Sequence, residues 1–507
     1  MPLKKAFDTE KYLEEQTEAI LKRMEQFDDK LYLEFGGKLI FDYHASRVLP
    51  GFDPNVKMRL LQKLKDQAEI ILCIYAGDIE SRKTRADFGI SYDADAMKLI
   101  DNLSHDWGLT VNSVVVTRYN DQPSVKLFIN RLKRRGIKVT IHRATKGYPM
   151  DIDLIVSDEG YGSNPYIETT KPLVVITGPG PNSGKLGTCL SQLYHENRRG
   201  VQAGYAKFES FPIWSLPLKH PVNVAYESAT ADLKDVNIID PFHLESYGKT
   251  AINYNRDVEA FPLLKRILEK ISGSSSLYQS PTDMGVNRIG FAIVDNEAAE
   301  LAAKQEIIRR TLRYSCEYML GLGKKDTVER AELIMQEVGA SLEDRNVVGS
   351  ARMTAIEAQK DETKGNHGIY CGAALELTDG TIITGRNSPL LHASSAVVLN
   401  AIKFLAGLPQ KIHLISPTVI QSISDLKGEI RGSNEITLDL EETLIALAAS
   451  ISTNSSAFLA VKQLKKLKLC EMHLTHMPPP GDEAGLRDLG INLTSDPLFS
   501  SERLFSK

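Results

Sequence analysis

The stretch from Leu173 to Leu190 constrains the fold more than any other part of the chain. Leu173-Val-Val-Ile176 is a short, apolar, mostly β-branched run, the pattern of a strand buried on both faces. Thr177-Gly-Pro-Gly-Pro-Asn-Ser-Gly-Lys185 follows, too rich in glycine and proline for a helix or a strand interior. Leu186, Leu190, Leu193 and Tyr194 then recur at helical spacing. A strand that turns sharply into a helix offers the first amides of that helix, and its positive dipole end, to whatever sits at the turn. The stretch therefore predicts an α/β layer with a corner suited to an anion. A tight turn that holds nothing would use the same residues.

Strand, glycine loop, Gly-Lys and helix together resemble a phosphate-cradling P-loop. Two departures are physically specific. The loop reads Gly178-x5-Gly184-Lys185, one residue longer than G-x4-G-K, and Leu186 stands where a magnesium-ligating hydroxyl belongs. Pro179 and Pro181 also lack the N–H groups that such a loop uses. The resemblance implies a nucleotide or another phosphorylated small molecule held by Gly178, Gly180, Asn182, Ser183, Gly184 and Lys185, with little help from magnesium. No zinc is expected.

From Leu31 to Ile176 strand and helix signals alternate. Strands are predicted at Leu31–Phe35, Ile70–Tyr75, Val111–Thr117, Ile137–Ile141, Leu154–Val156 and Leu173–Ile176, with helices between them. This is the order of a doubly wound, mostly parallel α/β sheet, in which ligands bind outside the carboxyl ends of the strands. Three post-strand loops are therefore candidates for the same mouth. They bring Lys38 after Gly36-Gly37, Arg82 after Ala76-Gly77, and Asp240 after Val236-Asn-Ile-Ile. Polar surface loops carrying no ligand account for them equally well. His44 reads as a turn hydrogen-bonder, and Tyr205–Pro221 as a lid or packing loop. No Ser-His-Asp or Cys-His set can be assigned from spacing.

The chain has 507 residues and a formal net charge of −4, so more than one core is needed and no polyanionic partner is implied. Arg131-Leu-Lys-Arg-Arg135, the one dense basic cluster, reads as a solvated helix face, and no nucleic acid is expected. The five cysteines form no C-x-x-C pair, which fits a reducing, cytoplasmic location. No run approaches the ~20 apolar residues of a membrane span. Ser272-Gly-Ser-Ser-Ser276 has linker composition. The expected domains are 1–272, a helical segment over 285–345, and 346–507. The amphipathic helices of the middle segment, with Leu301, Ile308, Leu312 and Tyr318 on one side, predict a homo-oligomer.

The last domain predicts a hairpin, Tyr370–Leu377 and Thr381–Thr384, around Asp379-Gly380. Gly385-Arg386-Asn387 ends it, His392-Ala-Ser394-Ser opens a helix, and a strand over Ile412–Ile415 leads into Pro417-Thr418-Val-Ile-Gln421. This order resembles the zinc-dependent cytidine deaminase fold over Gly372–Leu426. Ser394 stands in place of the proton-shuttling Glu, and Thr418 and Gln421 in place of the zinc-binding cysteines, so the resemblance implies the fold without the metal. A secondary pocket is expected at Asn387, His392, Ser394 and Thr418.

Over its full length the chain resembles a bacterial family of conserved cytoplasmic proteins of unknown function. The resemblance rests on Phe35-Gly-Gly-Lys38, Thr177–Lys185, Asn253-Tyr-Asn-Arg-Asp257 and Ser280-Pro-Thr-Asp-Met-Gly-Val-Asn287. Some members carry an ATP-dependent peptidase label, which nothing in these residues supports. Two expectations follow for function. One is a phosphate-handling enzyme acting on an anionic small molecule; the other is a non-catalytic, oligomeric ligand-binding or scaffold protein.

Overall fold

Continuous apolar runs become parallel strands here because helices cover both sides of each. The computed structural model describes residues 4–27, 30–85, 90–208, 211–431 and 437–501. It divides the chain into two units, Lys4–Ala303 and Lys304–Lys507. The cut falls inside the long helix Asn296–Met319.

In the Lys4–Ala303 unit the main sheet contains β1 (Leu31–Phe35), β2 (Ala68–Tyr75), β5 (Val111–Thr117), β6 (Val139–Ile141), β7 (Leu173–Thr177) and β8 (Gly204–Phe208). Two-residue strands β3 (Thr84–Arg85) and β4 (Ile90–Ser91) form a separate ribbon. The main sheet runs β6-β5-β2-β7-β1-β8, and every neighbouring pair is parallel. Side chains of β2 show why its run is apolar throughout. Ile71 and Cys73 enter one core with Cys189, Leu190 and Leu193, whereas Leu72 and Ile74 enter the other with Ala96, Val125 and Phe128. Strands of period two must be apolar at every position when both faces are covered.

Three expectations are corrected in this unit. Leu154–Val156 is not a strand: Ile152–Ile155 is a helical turn whose N-cap, Asp151, accepts the Leu154 amide at 3.0 Å. Three apolar residues fix no period, and the cap decided the geometry. Tyr205–Phe208 is not loop but most of the edge strand β8, whose Phe208 stacks on Phe35 at 4.2 Å. The Val236–Asp240 run gives β9 (Asn237–Ile239), which pairs antiparallel with β10 (Ile252–Tyr254) outside the parallel sheet.

The Lys304–Lys507 unit holds a four-stranded sheet. β11 (Gly372–Glu376) and β12 (Ile382–Arg386) form the expected hairpin, with Gly380 at a φ of +87° in its turn. β13 (Glu471–Leu474) runs antiparallel to β11, and β14 (Asn492–Ser495) parallel to β13. Helices do open at Ala393, directly after His392, and at Pro417. Ile412–Ile415 between them is not a strand, because Asn454 Nδ2 takes the carbonyls of His413 and Leu414 that a ladder would need. The deaminase-like order of elements is thus broken at its central strand. In the long helix, Ile308 and Leu312 are buried but Leu301 and Tyr318 are exposed, so the four do not share one covered face.

Candidate functional site

The connections of the parallel sheet reverse between β2 and β7. From β2 the chain proceeds to β5 on one side, and from β7 to β8 on the other. Such a reversal leaves a crevice at the carboxyl ends of the strands. The loop Gly178–Gly184 lies there, followed by the helix Lys185–Arg198.

Neighbouring strands fix the shape of this loop. A Cβ on Gly178 would lie 2.5 Å from the Cys73 carbonyl at the end of β2. One on Gly184 would lie 2.7 Å from the Thr117 side chain at the end of β5, and Gly184 also sits at a φ of +90°. Gly180 presses on the ring of Tyr92. Thr117 Oγ1 donates to the Ser183 carbonyl at 2.8 Å, and Arg118 donates to the Asn182 carbonyl while its guanidinium covers the Tyr75 ring at 3.6 Å. Glycine is required here by contact and by backbone conformation together.

The side chain of Lys185 folds back over the loop. Its Nζ donates to the Gly180 carbonyl and to Ser183 Oγ, both at 3.4 Å, the long limit of a hydrogen bond. The helix that Lys185 begins has glycine, Gly184, as its N-cap residue and so no N-cap side chain. Thr177, fully buried at the end of β7, has a hydroxyl with no hydrogen-bond partner among the described residues. Beneath the loop Cys73 and Cys189 are buried. Desolvation pushes the Cys73 thiol up to about 12 and the Cys189 thiol well above its ordinary range, which leaves both protonated and unreactive. Thr188 turns away into the helix, donating to the Gly184 carbonyl and accepting from Cys73 Sγ.

The structure brings Lys38 to this loop: a small cavity of about 30 Å³ is lined by Lys38, Lys98, Asp95, Gly178 and Pro179. The Gly36–Lys38 turn is anchored by Lys57, whose buried Nζ donates to the carbonyls of Gly36 and Lys38 and pairs with Asp42 at 3.1 Å. Burial opposes the charge on Asp42, but the Lys57, Lys38 and His44 charges outweigh it and hold the carboxyl below its ordinary range. His44 is packed edge-on against Tyr226.

Two predicted residues have other placements. Arg82 lies exposed on the turn after the Ala76–Glu80 helix, and its neighbour Lys83 lies 5.4 Å from the ring of Tyr92. Asp240 ends β9 rather than a strand of the parallel sheet. Its carboxylate caps the helix Pro241–Tyr247 through the amides of Phe242 and His243, and it also accepts the amide and hydroxyl of Thr282. Four bonds commit it to fastening that corner.

The carboxyl edge continues to β1 and β8, where Glu34 and Lys207 are register partners and so share a face. Tyr205 donates to Glu34 at 2.8 Å, and Lys207 pairs with Asp257 at 2.8 Å. Sequence reading missed Thr117, Arg118, Tyr92 and Lys207; each lies on a different element from the loop, and only the sheet order brings them near.

In the second unit a cavity of about 260 Å³ is lined by Asn387, His392 and Ser394, together with Thr437, His476 and Asp482. Thr418 is not among its walls: it is exposed and bonded to Ser416. Asn387 is spent on backbone, accepting the Cys371 amide and donating to the Ile369 carbonyl. Among the described residues no three His, Cys, Asp or Glu side chains are grouped as metal ligands, and no helix is long and apolar enough to cross a membrane.

A six-stranded parallel sheet with a glycine-rich corner, followed by a smaller mixed α/β unit, defines a two-part α/β protein. The chain belongs to the DUF1846 family. Residues 5–339 match the model described as "Domain of unknown function DUF1846, N-terminal", and residues 343–505 the corresponding C-terminal one. A UPF0371 protein of Clostridium botulinum (strain Langeland / NCTC 10281 / Type F) is 58% identical over 500 residues, covering 98% of this chain and 99% of the relative. One from Clostridium tetani (strain Massachusetts / E88) is 55% identical over 503 residues, covering 99% of each. These descriptions name no activity.

Proposed function

We propose that the Lys4–Ala303 unit binds a phosphate-bearing small molecule, a nucleotide or a sugar phosphate, at the crevice between β2 and β7. The amides at the start of the helix Lys185–Arg198 and the ammonium of Lys185 take the phosphate, and Arg118 and Lys38 supply further positive charge. The observation that carries this reading is the conformation of Lys185. Its ammonium is curled over an uncapped helix start with two long, weak partners, both within its own loop. An anion at that point replaces those contacts with shorter, charge-assisted ones. Leu186 stands where the magnesium-ligating hydroxyl of such a loop belongs and Thr188 is turned inward, so the protein's own cations neutralise the ligand.

A thermal-melting panel of nucleotides and sugar phosphates tests the reading. A compound that binds only the folded state, present at ~100 Kd, adds about 2.7 kcal/mol of stability. Lys185→Ala should keep the melting temperature of the free protein and lose most of that gain. A panel in which no phosphate compound shifts the melt, or in which Lys185→Ala shifts as the parent does, defeats the proposal.

A further inference from the structure

The cavity of the Lys304–Lys507 unit contains an arrangement that phosphate binding does not use. His392 stands at the start of the helix Ala393–Leu405, and its ring bridges two groups. Nδ1 lies 2.9 Å from Asp482 Oδ2, and Nε2 lies 3.1 Å from Thr437 Oγ1. An ionised carboxylate only accepts hydrogen bonds, so in the neutral ring the proton is on Nδ1 and faces Asp482. Nε2 then carries the lone pair, and the Thr437 hydroxyl donates to it. Asp482 is itself held, because its second oxygen accepts the Leu440 amide at 2.8 Å. Carboxylate, imidazole and hydroxyl in this order are the parts of an activated nucleophile.

A structural brace would produce the same three contacts, but it would not explain what faces them. Ser394, 1% exposed and lining the same cavity, has a hydroxyl with no hydrogen-bond partner among the described residues. It sits in the first turn of a helix whose N-cap residue, His392, makes no side-chain cap bond. Ala393 and Thr437 line the same cavity, so the start of this helix, with its positive dipole end, adjoins the space beside Thr437. Donors so placed can stabilise an oxyanion next to the nucleophile. Among the described residues no Lys or Arg lines the cavity, which measures about 260 Å³, below the roughly 300–1,000 Å³ of drug-sized ligand sites.

We propose that this cavity is an acyl-transfer site for a small, uncharged carboxylic ester, with Thr437 as nucleophile, His392 as its base and Asp482 as the residue that positions His392. Thr437 Oγ adds to the ester carbonyl carbon as its proton passes to His392 Nε2. The carbon–oxygen bond to the leaving alcohol then breaks, and His392 returns the proton to that alcohol. Water attacks the resulting acyl-threonine, giving one proton through His392 to Thr437 Oγ as the carboxylic acid leaves. The sum is ester plus water to acid plus alcohol, with no other reactant.

The full-length protein treated with p-nitrophenyl acetate provides the test. A burst of one p-nitrophenol per chain, with acetyl mapped by peptide mass spectrometry to Thr437, is expected. His392→Ala and Thr437→Val should slow that acylation by about 100-fold or more, and Thr437→Ser should retain it. Asp482→Asn should lower the acylation rate constant while leaving the half-saturating ester concentration unchanged, a split that a purely structural role would not give. Melting curves establish which variants are folded. Should a variant not fold, the acetyl position in the unaltered protein decides alone. Acetyl found only on lysines or other side chains, or the same acylation rate in folded Thr437→Val, overturns the proposal.

Discussion

At the scale of single residues, buried charge makes the sharpest demands. Lys57 is 2% exposed and its ammonium holds two carbonyls of the Gly36–Lys38 turn as well as Asp42. Lys57→Met removes the ion-pair partner nearest the buried Asp42 carboxylate and should cost roughly 3–5 kcal/mol in urea unfolding. Adding Asp42→Asn should recover part of that loss, and a double variant no more stable than the single would show that the pair is not the source. Leu186 leads to a second expectation. With no hydroxyl at that position and Thr188 bonded inside the helix, phosphate affinity should be the same in magnesium and in a chelator. A calorimetric titration checks this, and affinity that collapses on removing magnesium would mean that a metal site has been overlooked.

At the scale of elements, legibility depended on whether an element's pattern was longer than its surroundings were strong. The strands Leu31–Phe35 and Val111–Thr117 have the bounds expected of them, because both-face burial or clean flanking turns mark them. Gly204–Phe208 was hidden by an interior Lys207, whose charge is satisfied by Asp257 from a distant helix. Ile412–Ile415 was lost to a single side chain, Asn454, that takes its carbonyls. The site divides in the same way. The glycine loop is contiguous and can be read, whereas its supports at Thr117 and Arg118 are 66 and 64 residues from their partners. His392, Thr437 and Asp482 are likewise separated by 45 and 90 residues, beyond any spacing rule.

The edge strand β6 also carries a pH dependence. His142, the next residue, is bonded through its backbone to Val116 and Tyr119 and is 3% exposed. Burial pushes its imidazole down to about 4, the Pro165 backbone opposing and His195 assisting slightly. The unfolded chain protonates near 6.5, so between pH 6.5 and 4 it binds more protons than the folded one. Stability is therefore full above pH 6.5 and falls as pH drops toward 4, by about 3 kcal/mol. Denaturant unfolding at pH 7 and pH 4.5 should show this fall, and His142→Gln should flatten it. An unchanged slope in that variant would assign the acid sensitivity elsewhere.

At the scale of the whole molecule, a net charge of −4 coexists with a local gathering of cations. Lys185, Arg118, Lys38 and Lys98 all lie at or beside the one glycine loop. In the proposed reading, attraction for an anion comes from that local field and not from overall charge, and salt partly screens it. Phosphate-ligand affinity should weaken between low and physiological ionic strength, and a salt-independent affinity would mean that the charges are not involved. The claim on which all of this rests is the position of the anion. Diffraction from crystals of the full-length protein grown with inorganic pyrophosphate tests it most directly. The account predicts a phosphate group within hydrogen-bond reach of the amides of residues 183–186, with Lys185 swung from Gly180 onto it. Pyrophosphate bound elsewhere, with Lys185 still closed over Gly180 and Ser183, would contradict it.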